Sequence, residues 1–397
     1  MEKIVIIGSG VAAISAAETI RKHNKNIGIL IISEEEYYPY IRMQLSKALS
    51  NNLNINSIYL KEENWFLDNS IGFIKGQKVV NIDPNSKTVE TSMGLNIEYT
   101  KLILANGSSP FIPPIENINL NGVFTIRQFK DVENIKKYIK ENNVKNVAVI
   151  GGGLLGIEAA WSLVSSGQGL KLNIIQNSDR VLSRQVDKQG GDIIENVMNK
   201  NSIIVHKNAN TKILLGENKV QGLKFEDGRE ISAEMVIISA GVRSNKNIAK
   251  VCGIDVDRGI KVNEYMETSI KDIYAAGDVA ELNGKVLGLW PIADNQGKIV
   301  GLNSIGIRTP YKEEKPSSML MVMDMSLFSS GDINSDGLEE ILYSEGEYTK
   351  LFFKDSVIVG AVLINNMDKA MAIKEAINNK RSFKKELELN ENIYKLI

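Results

Sequence analysis

The sequence has almost none of the residues that build thiol or metal redox centres. Its 397 residues include one cysteine, Cys252, and two histidines, His23 and His206. A single cysteine excludes an internal disulfide and any CxxC redox pair. The two histidines are far apart in the chain, without the spacing of metal ligands. We therefore predict no metal site, and an inert core position for Cys252.

Long apolar runs and a strong charge imbalance are also missing. No run of about 18 apolar residues is present, which argues against a transmembrane helix. With 24% charged residues and a formal net charge of −1, nucleic acid and acidic membrane surfaces are not expected partners. The first apolar run ends in glycines rather than in a cleavage site, so it predicts a buried strand instead of a signal peptide, and a cytoplasmic location.

The sequence contains two copies of one supersecondary unit. A chain of 397 residues with 43% hydrophobic residues is long enough for two or three domains. Near the N-terminus, and again from Asn146, an apolar strand runs into a glycine turn, a helix and a second apolar strand. This order is typical of a dinucleotide-binding unit. The fold class predicted is α/β, with two Rossmann-like units.

The first unit carries a GxGxxA turn after the strand at residues 3–7. Gly8 permits the tight turn, Gly10 allows the backbone to approach a pyrophosphate, and Ala13 lets helix and strand pack closely. Glu34 ends the second strand, where a carboxylate can accept hydrogen bonds from ribose hydroxyls. The four features together predict a bound dinucleotide.

The second unit has a complete GxGxxG turn made by Gly151, Gly153 and Gly156. Its second strand ends at Gln176 rather than at an acid. A carboxylate there repels the 2′-phosphate of NADP, whereas a neutral amide does not, and Arg180 nearby could meet that phosphate. NAD is favoured over NADP, but the sequence leaves the choice open.

After Pro310 the pattern changes to short strands and one helix, which indicates a small α+β domain. We predict strands at residues 320–328, 349–353 and 357–363 and a helix at 367–378.

Five motifs in order resemble the FAD-dependent pyridine nucleotide–disulfide oxidoreductase superfamily. They are the first glycine turn, LILANGSSP (102–110), VIGGGLLGIE (149–158), ISAGVRSN (238–245) and TSIKDIYAAGDVA (268–280). The resemblance implies an FAD domain from residues 1–113 and 242–308, an NAD(P)H domain from 114–241, and a C-terminal interface domain from 309–397. It also implies that Asp278 accepts a hydrogen bond from a ribityl hydroxyl of FAD.

The same resemblance assigns the remaining site residues. For FAD they are Gly8, Gly10, Ala13, Glu34, Arg42, Lys47, Val80, Ala105, Gly107, Asp278 and Ala293. For NAD they are Gly151, Gly153, Leu155, Gly156, Glu158, Gln176 and Gly241. The segment from Trp290 is similar to a helix start beside the flavin, where the helix N-terminus stabilises negative charge on reduced flavin; a core anchor is an equal interpretation of Trp290.

Residues 37–49, YYPYIRMQLSKAL, are similar to a segment of the single-electron reductases in this superfamily. These include NADH:rubredoxin reductases, ferredoxin reductases of oxygenase systems and the flavin part of assimilatory nitrite reductase. The similarity implies that Arg42 faces the FAD pyrophosphate, and that Lys47 forms a buried pair with Glu158 near the flavin as the catalytic residues; a structural salt bridge between domains is the alternative. Met43 stands where the family has proline.

The missing thiols decide the predicted reaction. Disulfide reductases of the superfamily carry CxxxxC, and peroxidase relatives carry one cysteine near position 42, whereas this chain has Ile41-Arg42-Met43 there. Together with these absences, the resemblance implies hydride transfer from NADH to FAD, then single electrons to a small carrier protein, rubredoxin or ferredoxin. The compact length and the C-terminal domain look most like the rubredoxin reductases, so rubredoxin is favoured. A hydrogen-peroxide-forming NADH oxidase, a nitrite-reductase-type flavoprotein and a non-enzymatic flavin sensor stay open, as does the oligomeric state.

Basic residues near the C-terminus, among them Lys374, Arg381 and Lys385, form either a docking patch for an acidic carrier or a solvated helix end.

Overall fold

The structure, a computed structural model, describes residues 2–50, 53–313, 315–344, 348–389 and 391–397. The strands are β1 Lys3–Ile7, β2 Gly28–Ile32, β3 Ile71–Ile74, β4 Val79–Asp83, β5 Thr88–Thr91, β6 Asn96–Glu98, β7 Lys101–Leu104, β8 Ser108–Pro110, β9 Val123–Thr125, β10 Asn146–Ile150, β11 Lys171–Ile175, β12 Ile203–His206, β13 Thr211–Leu215, β14 Gly222–Phe225, β15 Glu230–Ser232, β16 Met235–Ile238, β17 Val242–Ser244, β18 Ile260–Val262, β19 Ile273–Ala275, β20 Ala280–Leu282, β21 Ser317–Val322, β22 Met325–Gly331, β23 Glu339–Ser344, β24 Tyr348–Lys354 and β25 Val357–Ile364. The α-helices are α1 Val11–His23, α2 Glu63–Asp68, α3 Phe129–Asn142, α4 Leu154–Ser165, α5 Lys188–Lys200, α6 Asn247–Val251, α7 Trp290–Ser304, α8 Ala370–Asn378, α9 Lys384–Glu388 and α10 Ile393–Leu396. Short 3-10 helices lie at Arg42–Gln44, Lys47–Leu49 and Ile55–Ile58.

The first nucleotide-binding unit is a five-stranded parallel sheet in the order β19-β7-β1-β2-β3. Both faces of this sheet are covered, so β1 is apolar along its length and four of its five residues are buried. Helices α1 and α7 cover one face in close contact with each other. A Cβ atom on Gly297 would lie 2.4 Å from the carbonyl oxygen of Ala12, so glycine at this position allows the two helix backbones to approach.

The second unit repeats the first. Its sheet is also parallel, in the order β12-β11-β10-β16-β9, with the first strand of the unit at the centre as in the first sheet. A three-stranded antiparallel sheet accompanies each unit: β4-β5-β6 in the first and β13-β14-β15 in the second. The chain leaves the first unit at β8 and returns at β17, and these two strands pair with each other.

The C-terminal part is a five-stranded antiparallel sheet in the order β21-β22-β25-β24-β23, with α8 packed on one face. The predicted strand at 320–328 is wrong, because this segment is a hairpin: Met323 and Asp324 both have positive φ angles and reverse the chain between β21 and β22.

The predicted α/β class with two Rossmann-like units and a C-terminal α+β part is confirmed. The exact domain boundaries stay a prediction, since one hydrophobic cluster joins side chains of the second unit, the 3-10 helix at Lys47–Leu49 and the inner face of the C-terminal sheet. In the part of the chain that the structure describes, no helix is long and apolar enough to span a bilayer.

Candidate cofactor site

A cavity of about 660 Å³ opens at the carboxyl ends of β1, β2 and β7 in the first unit. Ligands of open parallel sheets bind at this edge, and the volume is within the range of cofactor sites. The first glycine turn, Asp278 and the start of α7 all line this cavity.

The first glycine turn combines a tight backbone contact with an open face. Gly8 has a φ angle of +104°, and a Cβ atom on it would lie 2.2 Å from the carbonyl oxygen of Ala105, so only glycine fits. Gly10 has no protein atom within 4 Å of such a Cβ position. It is the N-cap of α1, and no side chain caps this helix. The free amides at the N-terminus of α1 therefore lie beside the cavity, where a pyrophosphate can bind.

Three other predicted FAD residues lie around this turn. Ala13 is fully buried between α1 and the sheet, as its packing role requires. Glu34 is exposed at the cavity rim, 3.4 Å from the ammonium of Lys78. Val80 stays a prediction: its side chain is 50% exposed and does not line the cavity, whereas its neighbour Val79 is buried and lines it. Successive side chains of a strand point to opposite faces, so a shift of one residue changes the face.

Asp278 lies in the cavity wall and is held by two donors. Ser108 Oγ donates to Asp278 Oδ2 at 2.8 Å, and Arg127 Nη2 lies 3.0 Å from the same oxygen. Both described bonds reach Oδ2, so Oδ1 remains as the acceptor for a ligand hydroxyl. Gly107 has a φ angle of +64° and lies beside the Arg127 guanidinium. A Cβ atom on Gly107 would lie 3.3 Å from Arg127 Nη2. Arg127 was not predicted, because it lies outside every motif in the sequence.

Arg42 also lines the cavity, and its charge is already paired. Its Nη2 lies 2.5 Å from Glu35 Oε1, and its Nη1 donates to the carbonyl oxygen of Arg127 at 2.6 Å. Burial alone lowers the pKa of Arg42, but Glu35 and Tyr40 raise it above its ordinary value. Tyr40 donates to the other oxygen of Glu35 at 2.5 Å, and burial raises the pKa of its phenol. Glu35 was missed in the sequence, where Glu34 beside it matched the expected strand end.

The N-terminus of α7 closes another side of the cavity. Trp290 and Ala293 line the cavity, and Pro291 lies in the first turn of the helix. This helix starts at Trp290, because proline is well suited to a first turn, where its missing N–H costs no hydrogen bond. No acidic side chain caps this end, so its positive pole is free to stabilise negative charge.

Two buried polar atoms in the cavity wall also indicate that a dinucleotide binds there. Gln77 Oε1 and Asn106 Oδ1 are buried in its wall without a hydrogen-bond partner. Buried polar atoms are normally paired, and an unpaired one calls for a partner such as a ligand. With the open face at Gly10, they give the cavity both space and polar contacts for FAD.

The second glycine turn has the same geometry but lies apart from the cavity. A Cβ on Gly151 would lie 2.2 Å from the carbonyl oxygen of Ser239, and one on Gly156 would lie 2.0 Å from that of Gly151. Gly153, the uncapped N-cap of α4, is exposed and has no neighbour within 4 Å of a Cβ position. The turn can therefore bind the phosphates of a dinucleotide that arrives from solvent.

The other predicted NAD residues near this turn have different positions in the structure. Gln176 Oε1 accepts a hydrogen bond from Gly152 N at 2.8 Å, so the amide of Gln176 closes the turn. Leu155 is 38% exposed on the first turn of α4. Gly241, with a φ of +99°, starts the return crossover, and its carbonyl oxygen accepts from Phe111 N.

The predicted burial of the catalytic pair needs a correction. Lys47 is exposed rather than buried. Glu158 is half-buried and accepts a hydrogen bond from Ser46 Oγ at 3.1 Å. Burial raises the pKa of Glu158, while Ser46 and the charge of Lys47 act in the opposite direction. The two residues are close enough to interact electrostatically, but the contact that holds Glu158 comes from Ser46. Neither Lys47 nor Glu158 lines the cavity.

None of the side chains of Cys252, His206 and His23 lines the cavity. Cys252 is half-buried at the end of α6, where burial raises the pKa of its thiol. His206 bonds Asn173 Oδ1 at 3.0 Å, and His23 lies near the carbonyl oxygen of Thr19. Among the described residues, no group of three or more side chains could hold a metal ion.

Comparison with known families agrees with this geometry. The pyridine nucleotide-disulphide oxidoreductase family matches residues 2–297. The chain belongs to this family. Its cofactors are FAD and NAD(H), and it is an NAD(P)H-dependent oxidoreductase. The rubredoxin NAD+ reductase C-terminal domain matches residues 316–381, so the resemblance stated from the motifs is confirmed.

Relatives of this oxidoreductase differ in length. The NADH-rubredoxin oxidoreductase of Clostridium acetobutylicum is 34% identical in its crystal structure, with a TM-score of 0.81 and 96% of both chains covered. In sequence it is 35% identical over 384 residues, 96% of each chain. The nitrite reductase [NAD(P)H] of Bacillus subtilis is 34% identical over 92% of this chain, which spans only 46% of that protein.

Proposed function

We propose that this oxidoreductase transfers electrons from NADH through FAD to a small one-electron carrier of the rubredoxin type. The observation that carries the proposal is the lack of a redox thiol in a chain that aligns from end to end with an NADH-rubredoxin oxidoreductase. Cys252, the one cysteine in the sequence, is half-buried with a raised thiol pKa. Electrons have no disulfide to pass through, so they leave directly from the cofactor.

When bound, FAD supplies the redox chemistry: it accepts a hydride from NADH and releases the electrons one at a time. The residues of the first unit hold it. The amides at the start of α1 face the cavity beside Gly10, and Asp278 Oδ1 accepts from a ligand hydroxyl. The uncapped start of α7 stabilises negative charge near Trp290 and Ala293.

The second unit positions the reductant. Gly153 and the start of α4 receive the phosphates of NADH, and Gln176 lies at the end of β11, where the adenine ribose binds in this type of unit. Glu158 lies one turn beyond the start of α4 and accepts a hydrogen bond from Ser46 of the first unit. This bond joins the unit that binds NADH to the unit that binds FAD. The proposal includes a cytoplasmic location, because NADH is the reductant there.

The test is anaerobic. The purified protein is reduced with NADH and then mixed separately with rubredoxin, with ferredoxin and with oxygen, while the return of the oxidised flavin band is followed. We expect rubredoxin to reoxidise the protein fastest. Equal or faster reoxidation by oxygen overturns the proposal in favour of an NADH oxidase, and a preference for ferredoxin moves it to a ferredoxin-type reductase.

A further inference from the structure

The C-terminal sheet reaches the second nucleotide-binding unit through a surface turn. Asn334, between β22 and β23, lies against the loop that follows β11. Its side chain contacts two residues there: Oδ1 accepts from Arg180 Nη2 at 3.0 Å, and Nδ2 donates to the carbonyl oxygen of Ser183 at 3.3 Å. Nothing in the FAD or carrier chemistry requires these bonds.

Arg180 stands where a cation could decide between NADH and NADPH. Ser178 Oγ, which contacts Gln176, donates to the carbonyl oxygen of Arg180 at 2.8 Å. Val181 lies against the glycine turn, 3.0 Å from a Cβ position on Gly152. An arginine just beyond the second strand of a dinucleotide-binding unit is suited to bind the 2′-phosphate of NADPH.

The guanidinium, however, is held by three partners that lie outside the glycine turn. Besides Asn334, its Nε donates to the carbonyl oxygen of Val186 at 3.1 Å, and its Nη1 lies 2.8 Å from Asp179 Oδ1. Its aliphatic part packs on Gly191 of α5, where a Cβ atom on the glycine would lie 2.9 Å from Arg180 Cβ. As a result the side chain of Arg180 is only 19% exposed.

Val186 holds only Nε, through its backbone carbonyl; of the two side-chain partners at the Nη atoms, Asn334 is the fixed one. Asp179 is the neighbouring residue, with a 53% exposed side chain, so it can move together with the arginine. Asn334 is anchored by the second bond to Ser183 and by a turn in which Asp332 Oδ1 accepts from Asn334 N at 3.2 Å. A side chain held by an anchored partner loses the freedom to swing toward a ligand.

We propose that Asn334 makes the enzyme selective for NADH by holding Arg180 away from the adenine ribose. Asn334 is thus a positioning residue that acts through Arg180 and needs no contact with the nucleotide. The inference rests on the proposed NADH site at the second glycine turn. It assigns to the C-terminal sheet a part in choosing the reductant.

The test uses binding of two nucleotide fragments, 5′-AMP and adenosine 2′,5′-bisphosphate, measured by isothermal titration calorimetry. In Asn334→Ala, we expect affinity for the bisphosphate to rise about threefold to tenfold, as the loss of one hydrogen bond of ordinary strength to Arg180 allows, with affinity for 5′-AMP unchanged. In Asn334→Asp, the carboxylate still holds Arg180, so bisphosphate affinity stays within about twofold of wild type. A gain in Asn334→Ala that is absent from Asn334→Asp is not explained by a role in folding.

Two further variants complete the design. Arg180→Gln alone should change bisphosphate affinity less than twofold, while in combination with Asn334→Ala it should cancel the gain. Ser183→Ala keeps the carbonyl group that Asn334 contacts, and serves as the matched control with wild-type affinities.

The outcomes separate the two proposals. If the wild-type protein binds neither fragment, the nucleotide site itself is misplaced, and both proposals fail. If 5′-AMP binds and Asn334→Ala leaves bisphosphate affinity unchanged, only the role of Asn334 fails. A large loss of bisphosphate affinity in Arg180→Gln alone also overturns it, because Arg180 would then already reach the 2′-phosphate.

Discussion

The two glycine turns offer a matched pair of substitutions, Gly10→Ala and Gly153→Ala. Each glycine is the N-cap of its helix with an ordinary φ angle, −71° and −83°. Each has no protein atom within 4 Å of a Cβ position. An alanine at either site therefore meets no protein atom, and its methyl group occupies only the space where we place a cofactor phosphate.

The expected magnitudes follow from this geometry. Alanine is a poorer N-cap than glycine by up to about 1 kcal/mol, and the reduced freedom of the unfolded chain returns about 0.4–1 kcal/mol. The free energy of unfolding of the apoprotein thus changes by less than about 1 kcal/mol. An added methyl group in a close-packed contact costs about 1–3 kcal/mol, which corresponds to about 5-fold to 150-fold weaker binding of the affected cofactor.

The assay has two parts. FAD affinity is measured by titrating the apoprotein and following flavin fluorescence, and NAD⁺ affinity by titrating the FAD-loaded protein with NAD⁺. We expect Gly10→Ala to lose FAD affinity, and Gly153→Ala to keep FAD and lose NAD⁺. Gly8→Ala is the contrast, because its Cβ collides with Ala105 and its φ is +104°, so the fold itself is destabilised. Wild-type FAD affinity in Gly10→Ala would refute the assignment of the cavity.

Three further predictions concern charge. Gln176→Glu should weaken use of NADPH and leave NADH little altered, since a carboxylate repels a 2′-phosphate; an unmoved ratio of the two kcat/KM values would show that residue 176 does not contact the ribose. Lys47→Ala and Glu158→Gln should each slow flavin reduction in stopped flow while FAD stays bound, and unchanged rates remove both residues from the mechanism. Burial raises the pKa of Asp187, but Lys350 and Tyr348 together lower it below its usual value. That stabilisation is therefore present above about pH 4, the unfolded pKa, and is lost as pH falls through the lower folded pKa. Asp187→Asn should cost about 1–3 kcal/mol of unfolding free energy at pH 7 and less in acid, as measured by urea unfolding, and a pH-independent cost contradicts the pairing.

The fold could be predicted from the sequence where pattern and packing agree. The strand at Lys3–Ile7 was predicted at its observed bounds, because a strand buried on both faces is apolar throughout. The hairpin at Met323-Asp324 was missed, since the residues on both sides are apolar and the turn contains neither glycine nor asparagine, the usual residues at positive φ.

The candidate site was predictable as far as its backbone. Gly8 and Gly151 have positive φ angles and close carbonyl contacts that only glycine allows. The glycine at each of these positions in the sequence therefore predicts the backbone geometry. The side-chain pairs were not predictable in this way. Arg127 reaches Asp278 across 151 residues of sequence, and Lys47 is exposed although its motif suggested burial. Such contacts depend on how separate units pack, which no local pattern records.

We place FAD in the cavity beside Gly10 and Asp278, where NADH reduces it. The absorbance band of oxidised flavin is recorded on the purified protein before and after anaerobic addition of NADH. We expect a yellow protein with one FAD per chain that NADH bleaches. A protein that stays colourless when supplied with FAD, or a bound flavin that NADH leaves oxidised, would contradict it.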